Sequence, residues 1–261
     1  MIRKNKLKEL LNSGSAVIGT FVTLIDPAIV EILGLMGFDF VVIDNEHVAM
    51  DRTTVVNMIR ASEMICSDIV PIVRIKDSST IEIAQMLDSG ALGLQIPGVD
   101  TYDQTKNIVD AAYYAPIGHR GLGTAQRGIG YGAMEKFEYF KTANEEILTI
   151  IQCESIKSVK NLNRILEIDE IDIVFIGAMD LSQSMGTDIM GRRNHPDLIA
   201  LFNETVKKIT AAGKIAGGAA GSMENVHELY NLGVRYFTIS NDISFLKASA
   251  SQILKSFKNI C

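Results

Sequence analysis

One short pattern recurs along this chain and limits its fold more than any other feature. A helix-length segment gives way to a glycine or an acidic residue, then to an apolar strand, then to a polar turn. The pattern runs from Gly37-Phe38-Asp39 through Ile43, and again from Gly90 through Leu92, Leu94 and Ile96 to Pro97. Later copies are Ile171 to Gly177, Gly213 to Gly217 and Gly233 to Ser240. Glycines 37, 90, 213 and 233 fit the position just past a helix, where a positive φ turns the chain back toward a sheet. Three more apolar runs read as strands: Val17 to Phe21, Ile69 to Arg74 and Ile147 to Cys153. The eight strands are separated mostly by segments of helical period, such as Thr54 to Ile65 and Thr80 to Leu87.

Eight strand–helix units in 261 residues predict an α/β fold, a single (β/α)8 TIM barrel spanning residues 1–261. The competing doubly wound sheet needs a G-x-G-x-x-G turn after its first strand, and Gly19 stands alone there. A long glycine-rich segment from Ala115 to about Lys141 reads as irregular, and loops of that length in a compact barrel generally serve a function. Composition narrows the class. A net charge of -6 and the lack of a basic stripe argue against nucleic acid as a partner. No apolar run is long enough for a membrane span. The segment around Leu7 to Leu11 reads as an amphipathic helix, not as the core of a signal peptide. Cys66, Cys153 and Cys261 are odd in number and widely spaced, which predicts neither a disulfide framework nor a zinc site, with the cytoplasm as the compartment.

Active-site groups of a barrel gather at the C-terminal ends of its strands. The second strand ends in Asp44, Asn45, Glu46 and His47, the third in Arg74, the fifth in Gln152 and Glu154, and Asp180 lies just beyond the sixth. The 44–47 stretch reads equally as a helix start with Asp44 as its cap. Gln152 and Glu154 are two apart and share one strand face, with Cys153 on the other. Neighbouring strands lie about 4.8 Å apart, so the Glu154 and Asp180 carboxylates can converge. Oxygen-only ligation of that kind suits Mg²⁺ or Mn²⁺. The competing reading makes each acid a helix cap. Arg74 can clamp a carboxylate or close a structural ion pair, and Asp44 is placed to orient the His47 imidazole. His119, His195 and His227 read as surface or packing residues. Lys76 and Lys214 are poorly placed for imine chemistry. Gly217 to Gly221 read as a turn after the seventh strand that could receive a phosphate.

Several of these motifs together resemble the HpcH/HpaI aldolases. They are Asp44-Asn45-Glu46-His47, Val73-Arg74, Gln152-Cys153-Glu154-Ser155, Phe175 to Ser182, and Ala115 to Gly123. The likeness runs from about Gly19 to Asp242. It implies a metal-dependent aldolase that cleaves 4-hydroxy-2-oxo acids reversibly to pyruvate and an aldehyde through a metal-stabilised enolate. By the same resemblance Glu154 and Asp180 hold a divalent metal (Mg²⁺, Mn²⁺ or Co²⁺), and Arg74 with Gln152 holds the 2-oxo acid. His47 with Asp44 is the implied acid/base element, and Gly177, Ala178 and Met179 face pyruvate. Asp88 matches an aspartate that reaches a neighbouring subunit's site, which implies a homo-oligomer, a trimer or hexamer. Asn45 and Ala178 depart from the usual glycine and proline, which bears on substrate preference. The runner-up is an acyl-CoA or citryl lyase of the same superfamily. An imine-forming aldolase and a barrel kept only for binding complete the alternatives.

Overall fold

A computed structural model describes residues 2–64 and 68–260. Cys66 and Cys261, and the predicted helix end at Ile65, lie outside the described residues. The strands are β1 (Val17–Val22), β2 (Phe40–Asp44), β3 (Val70–Arg74), β4 (Gly93–Ile96), β5 (Leu148–Cys153), β6 (Ile173–Ile176), β7 (Ile215–Ala220) and β8 (Val234–Asn241). Each pairs in parallel with the next, and β8 returns to β1 to close the barrel. The N-terminal helix α1 (Lys6–Asn12) stands where the sequence predicts, and α11 (Asp242–Lys258) is the last helix. No helix among the described residues is long and apolar enough to cross a membrane.

Strand alternation sorts the apolar residues into two cores. Phe40, Val42, Ile72, Ile150, Phe175 and Tyr236 fill the barrel interior. Val41, Ile43, Val73, Ile151, Cys153 and Ile176 face outward and pack beneath the helices. The period of two in a strand produces this division directly. Interior volume is shared between large and small residues. A Cβ on Gly19 would stand 2.4 Å from the Phe40 ring, which itself stacks on Tyr236 with centroids 4.2 Å apart.

Gly37, Gly90, Gly213 and Gly233 all have positive φ, as expected of residues that end helices. Gly233 shows why: at φ 119° it caps α10 (Met223–Leu232), and its N–H donates back to the Leu229 carbonyl. Two segments are more ordered than their glycine content predicts. Gly217 to Ala220 are not a turn but the second half of β7. Barrel closure decides this, because a Cβ on Gly217 would lie 2.9 Å from Tyr236 Cδ1, so the neighbouring rings occupy the space the glycine leaves. Within 115–141, the chain forms a 3-10 turn over Gly130–Gly132 and then enters α6 (Lys136–Glu146).

Candidate active site

Parallel register places Asp44 beside Arg74 at the ends of β2 and β3. Arg74 Nε donates to Asp44 Oδ1 at 3.0 Å and its Nη2 to Oδ2 at 2.8 Å, a two-bond fork with a buried carboxylate. Its Nη1 pairs with Glu46 Oε2 at 3.2 Å, and its guanidinium lies 4.6 Å from the centre of the Phe21 ring. The Arg74–Glu46 contact is ionic without hydrogen-bond geometry, because Glu46 Oε2 is buried and accepts no hydrogen bond. Burial, more than any nearby charge, raises the Glu46 carboxyl above the usual range, while Arg74 opposes the shift. Asp44 Oδ1 also accepts the backbone N–H groups of Glu46 (3.1 Å) and His47 (3.2 Å), so it fixes the turn after β2. The His47 ring stands elsewhere: it is exposed, with Nε2 3.8 Å from Glu46 Oε2. Asp44 therefore holds the His47 backbone and Arg74, and the carboxylate beside the imidazole belongs to Glu46.

At the end of β5 a line of polar side chains rises through the barrel. Tyr236 Oη donates to Gln95 Oε1 (3.4 Å), Gln95 Nε2 to Gln152 Oε1 (2.7 Å), and Gln152 Nε2 to Glu154 Oε2 (2.5 Å). The Gly98 N–H donates to Glu154 Oε1 at 2.6 Å. Glu154 does not cap the next helix: Ser155 does, accepting the Ser158 N–H at the start of α7 (Ile156–Ile165). Asp180 is likewise no cap, since it lies in the first turn of α8 (Ala178–Ser184) and the cap is Gly177. Gly177 packs against Glu154, where a Cβ would come within 2.8 Å of Glu154 Oε2. Burial foremost, then the charges of Asp180 and Glu46, raise the Glu154 carboxyl, against the hydrogen bonds from Gly98 and Gln152.

Arg74, Gln152, Glu154, Gly177, Ala178, Met179 and Asp180 all line one cavity of about 960 Å³ over the barrel mouth. Asp44 and His47 are not in its wall and reach it through Arg74 and Glu46. No lysine lines it among the described residues. The acids fit a divalent cation by their chemistry: oxygen donors, an Asp180 charge that raises the Glu154 carboxyl, and lone pairs not consumed by helix capping. Among the described residues no group of three or more His, Cys, Asp or Glu side chains is placed to hold a metal, so a cation here would have at most these two carboxylates from such residue types. Asp88 ends α4 (Thr80–Asp88), away from this wall. Its Oδ1 accepts Arg120 Nη2 at 2.6 Å, and its carbonyl accepts the Gly128 N–H at 2.8 Å, tying down the 115–135 segment. Sequence reasoning missed Gln95 and Phe21. A fully buried glutamine inside an apolar strand was the available signal for Gln95.

Residues 17–234 match the HpcH/HpaI aldolase/citrate lyase family. The chain belongs to that family. A HpcH/HpaI aldolase/citrate lyase family protein from Burkholderia cenocepacia has the same fold, with a TM-score of 0.92 and 28% identity over 98% of this chain and 100% of that one. A hydroxypyruvate/pyruvate aldolase of Roseobacter denitrificans is 34% identical over 97% of each chain. A 2-keto-3-deoxy-L-rhamnonate aldolase of Escherichia coli is 32% identical over 98% of this chain and 94% of its own. This HpcH/HpaI chain carries the acids, the arginine and the glutamine in one wall.

Proposed function

We propose that this protein is a divalent-cation-dependent aldolase that cleaves 4-hydroxy-2-oxo acids reversibly to pyruvate and an aldehyde. The observation that carries this reading is the convergence of Glu154 and Asp180 on a cavity that Arg74 also lines. The aldolase names of relatives at 34% and 32% identity support it. Glu154 and Asp180 hold Mg²⁺, Mn²⁺ or Co²⁺, and Gln152 fixes the Glu154 carboxylate through its amide. A cation held there would supply positive charge beside the 2-oxo group. Arg74 faces the same oxygen and the substrate carboxylate, held in place by Asp44. The Ala178 and Met179 N–H groups, in the first turn of α8, have no partner within the helix and would serve the pyruvate carboxylate. His47, beside Glu46 and outside the cavity wall, takes the C4 hydroxyl proton through an intervening water, the C3–C4 bond breaks, and its electron pair moves toward the 2-oxo group. A proton then returns to C3, giving pyruvate and the aldehyde.

The test is pyruvate release from a panel of 4-hydroxy-2-oxo acids. EDTA is expected to abolish release, and Mg²⁺, Mn²⁺ or Co²⁺ to restore it. Release that survives EDTA, or covalent trapping of pyruvate by borohydride, would overturn the assignment. An acyl-CoA or citryl substrate is the poorer fit. Coenzyme phosphates call for a cluster of cations, and among the described residues Arg74 and Arg193 are the cationic side chains of the cavity wall. We further place the protein in the cytoplasm, in keeping with the free thiol of Cys153, as a trimer or hexamer in which Asp88 reaches a neighbour's site. The faces that support assembly are apolar and exposed: Leu246, Ile253, Leu254 and Phe257 on α11, and Ile32 and Leu35 on α2 (Ala28–Leu35).

A further inference from the structure

We infer that Gln95, buried inside the barrel and outside the cavity wall, positions the Glu154 carboxylate through Gln152 and so sets how tightly the site holds its cation. This rests on the cation site proposed above and gives it a support from the barrel interior. Gln95 lies on β4, level with Arg74 on β3 and Ile150 on β5. Its neighbours Leu94 and Ile96 pack outward beneath the helices, so its own side chain points inward. There it is wholly buried, in an interior otherwise filled by side chains such as Ile72, Ile150, Phe175 and Tyr236. An amide in such surroundings costs free energy unless its polar atoms are paired. An apolar side chain would pack there without that cost. What the glutamine adds is its hydrogen bonds.

Those bonds run in one direction. A carboxylate that holds a cation is ionised and can only accept. Gln152 therefore turns its NH₂ group to Glu154, which leaves its carbonyl oxygen facing the interior. Gln95 Nε2 is the donor to that oxygen at 2.7 Å, and Gln95 Oε1 in turn accepts from Tyr236 Oη at 3.4 Å. Tyr236 closes the chain as a donor, and burial pushes its hydroxyl well above the usual range, so it keeps its proton. The two distances rank the links: the amide–amide bond is strong and the tyrosine bond weak. Without Gln95 the buried Gln152 oxygen loses its donor, and an orphaned buried acceptor favours rotation of the amide toward another partner. Glu154 Oε2 then loses the group that fixes it, while the Gly98 N–H still holds Oε1.

The test reads cation affinity and not turnover: metal-free protein is titrated with Mn²⁺, and the unbound ion is counted by its electron paramagnetic resonance signal. Gln95→Met keeps the length of the side chain and removes its donor. It is expected to raise the Kd for Mn²⁺ about tenfold, the scale of losing outer support of a metal ligand. Tyr236→Phe, which removes only the weaker bond, is expected to raise it less. Gln152→Met is expected to lose at least as much as Gln95→Met. Because the two glutamines act in series, the double variant is expected to bind no more weakly than Gln152→Met alone. Gln95→Leu repeats the comparison if the methionine variant does not fold. Wild-type affinity in the Gln95 variants, or losses that simply add in the double variant, overturn the inference. A wild-type protein that binds no Mn²⁺ removes the proposed cation site as well, which separates the two failures.

Discussion

Arg74 shows how much one side chain carries. It binds Asp44 through Nε and Nη2, pairs with Glu46 through Nη1 and lies over Phe21. A lysine has one nitrogen and cannot reproduce the fork. Arg74→Lys should lower kcat/KM for cleavage by roughly 10–100-fold, the scale of losing charge-assisted hydrogen bonds; wild-type turnover in that variant would remove Arg74 from the mechanism. Away from the site, Asp172 is a partly buried carboxylate that accepts the Thr149 N–H at 2.8 Å and pairs with Lys8 at 3.3 Å. Burial, only partly offset by Lys8, raises its carboxyl above the usual range. The folded chain therefore holds that proton more tightly than the unfolded one. Its share of stability weakens as pH climbs from the ordinary aspartate range through the raised value. Asp172→Asn should flatten that slope in Tm measured against pH, and an unchanged slope would assign it to other groups.

At the scale of elements, the barrel depends on small residues beside large ones. Gly19→Ala drives a methyl into the Phe40 ring, which Tyr236 backs at 4.2 Å and which cannot easily withdraw. Overpacking of this kind costs about 1–3 kcal/mol and should appear as a lower Tm with the site residues in place. The 115–135 segment hangs on Asp88. Arg120 is buried, and Asp88→Ala strands its guanidinium without a carboxylate. Removing one partner of a buried pair costs about 3–5 kcal/mol, so the variant should melt earlier and be cut by protease within 115–135. Resistance equal to wild type would show that other contacts hold the segment. The elements themselves were largely legible. Apolar runs bounded by glycines marked the strands, and the spacing of two put Gln152 and Glu154 on one face. The second half of β7 was not legible, because Gly217 and Gly218 carry no strand signal of their own. Neighbouring rings supply it.

At the scale of the whole molecule, α11 has only Asp242 buried and shows Leu246, Ile253, Leu254 and Phe257 along one stripe. Phe257→Asp should shift the protein to a smaller species by light scattering, if this face joins copies of the chain; an unchanged mass would place assembly elsewhere. The sequence by itself determined the eight repeated units, the helix-ending glycines and the acids and arginine at the strand ends. These follow from local rules: periodicity, backbone freedom and the abrupt change from apolar to polar. Only the tertiary structure decided which polar groups meet. Asp44 turned to Arg74 and away from the His47 ring, Glu46 took the place beside that imidazole, and Gln95 joined Tyr236 to Gln152. Such pairings depend on strand register and closure of the ring, which bring together residues as far as 219 positions apart along the chain.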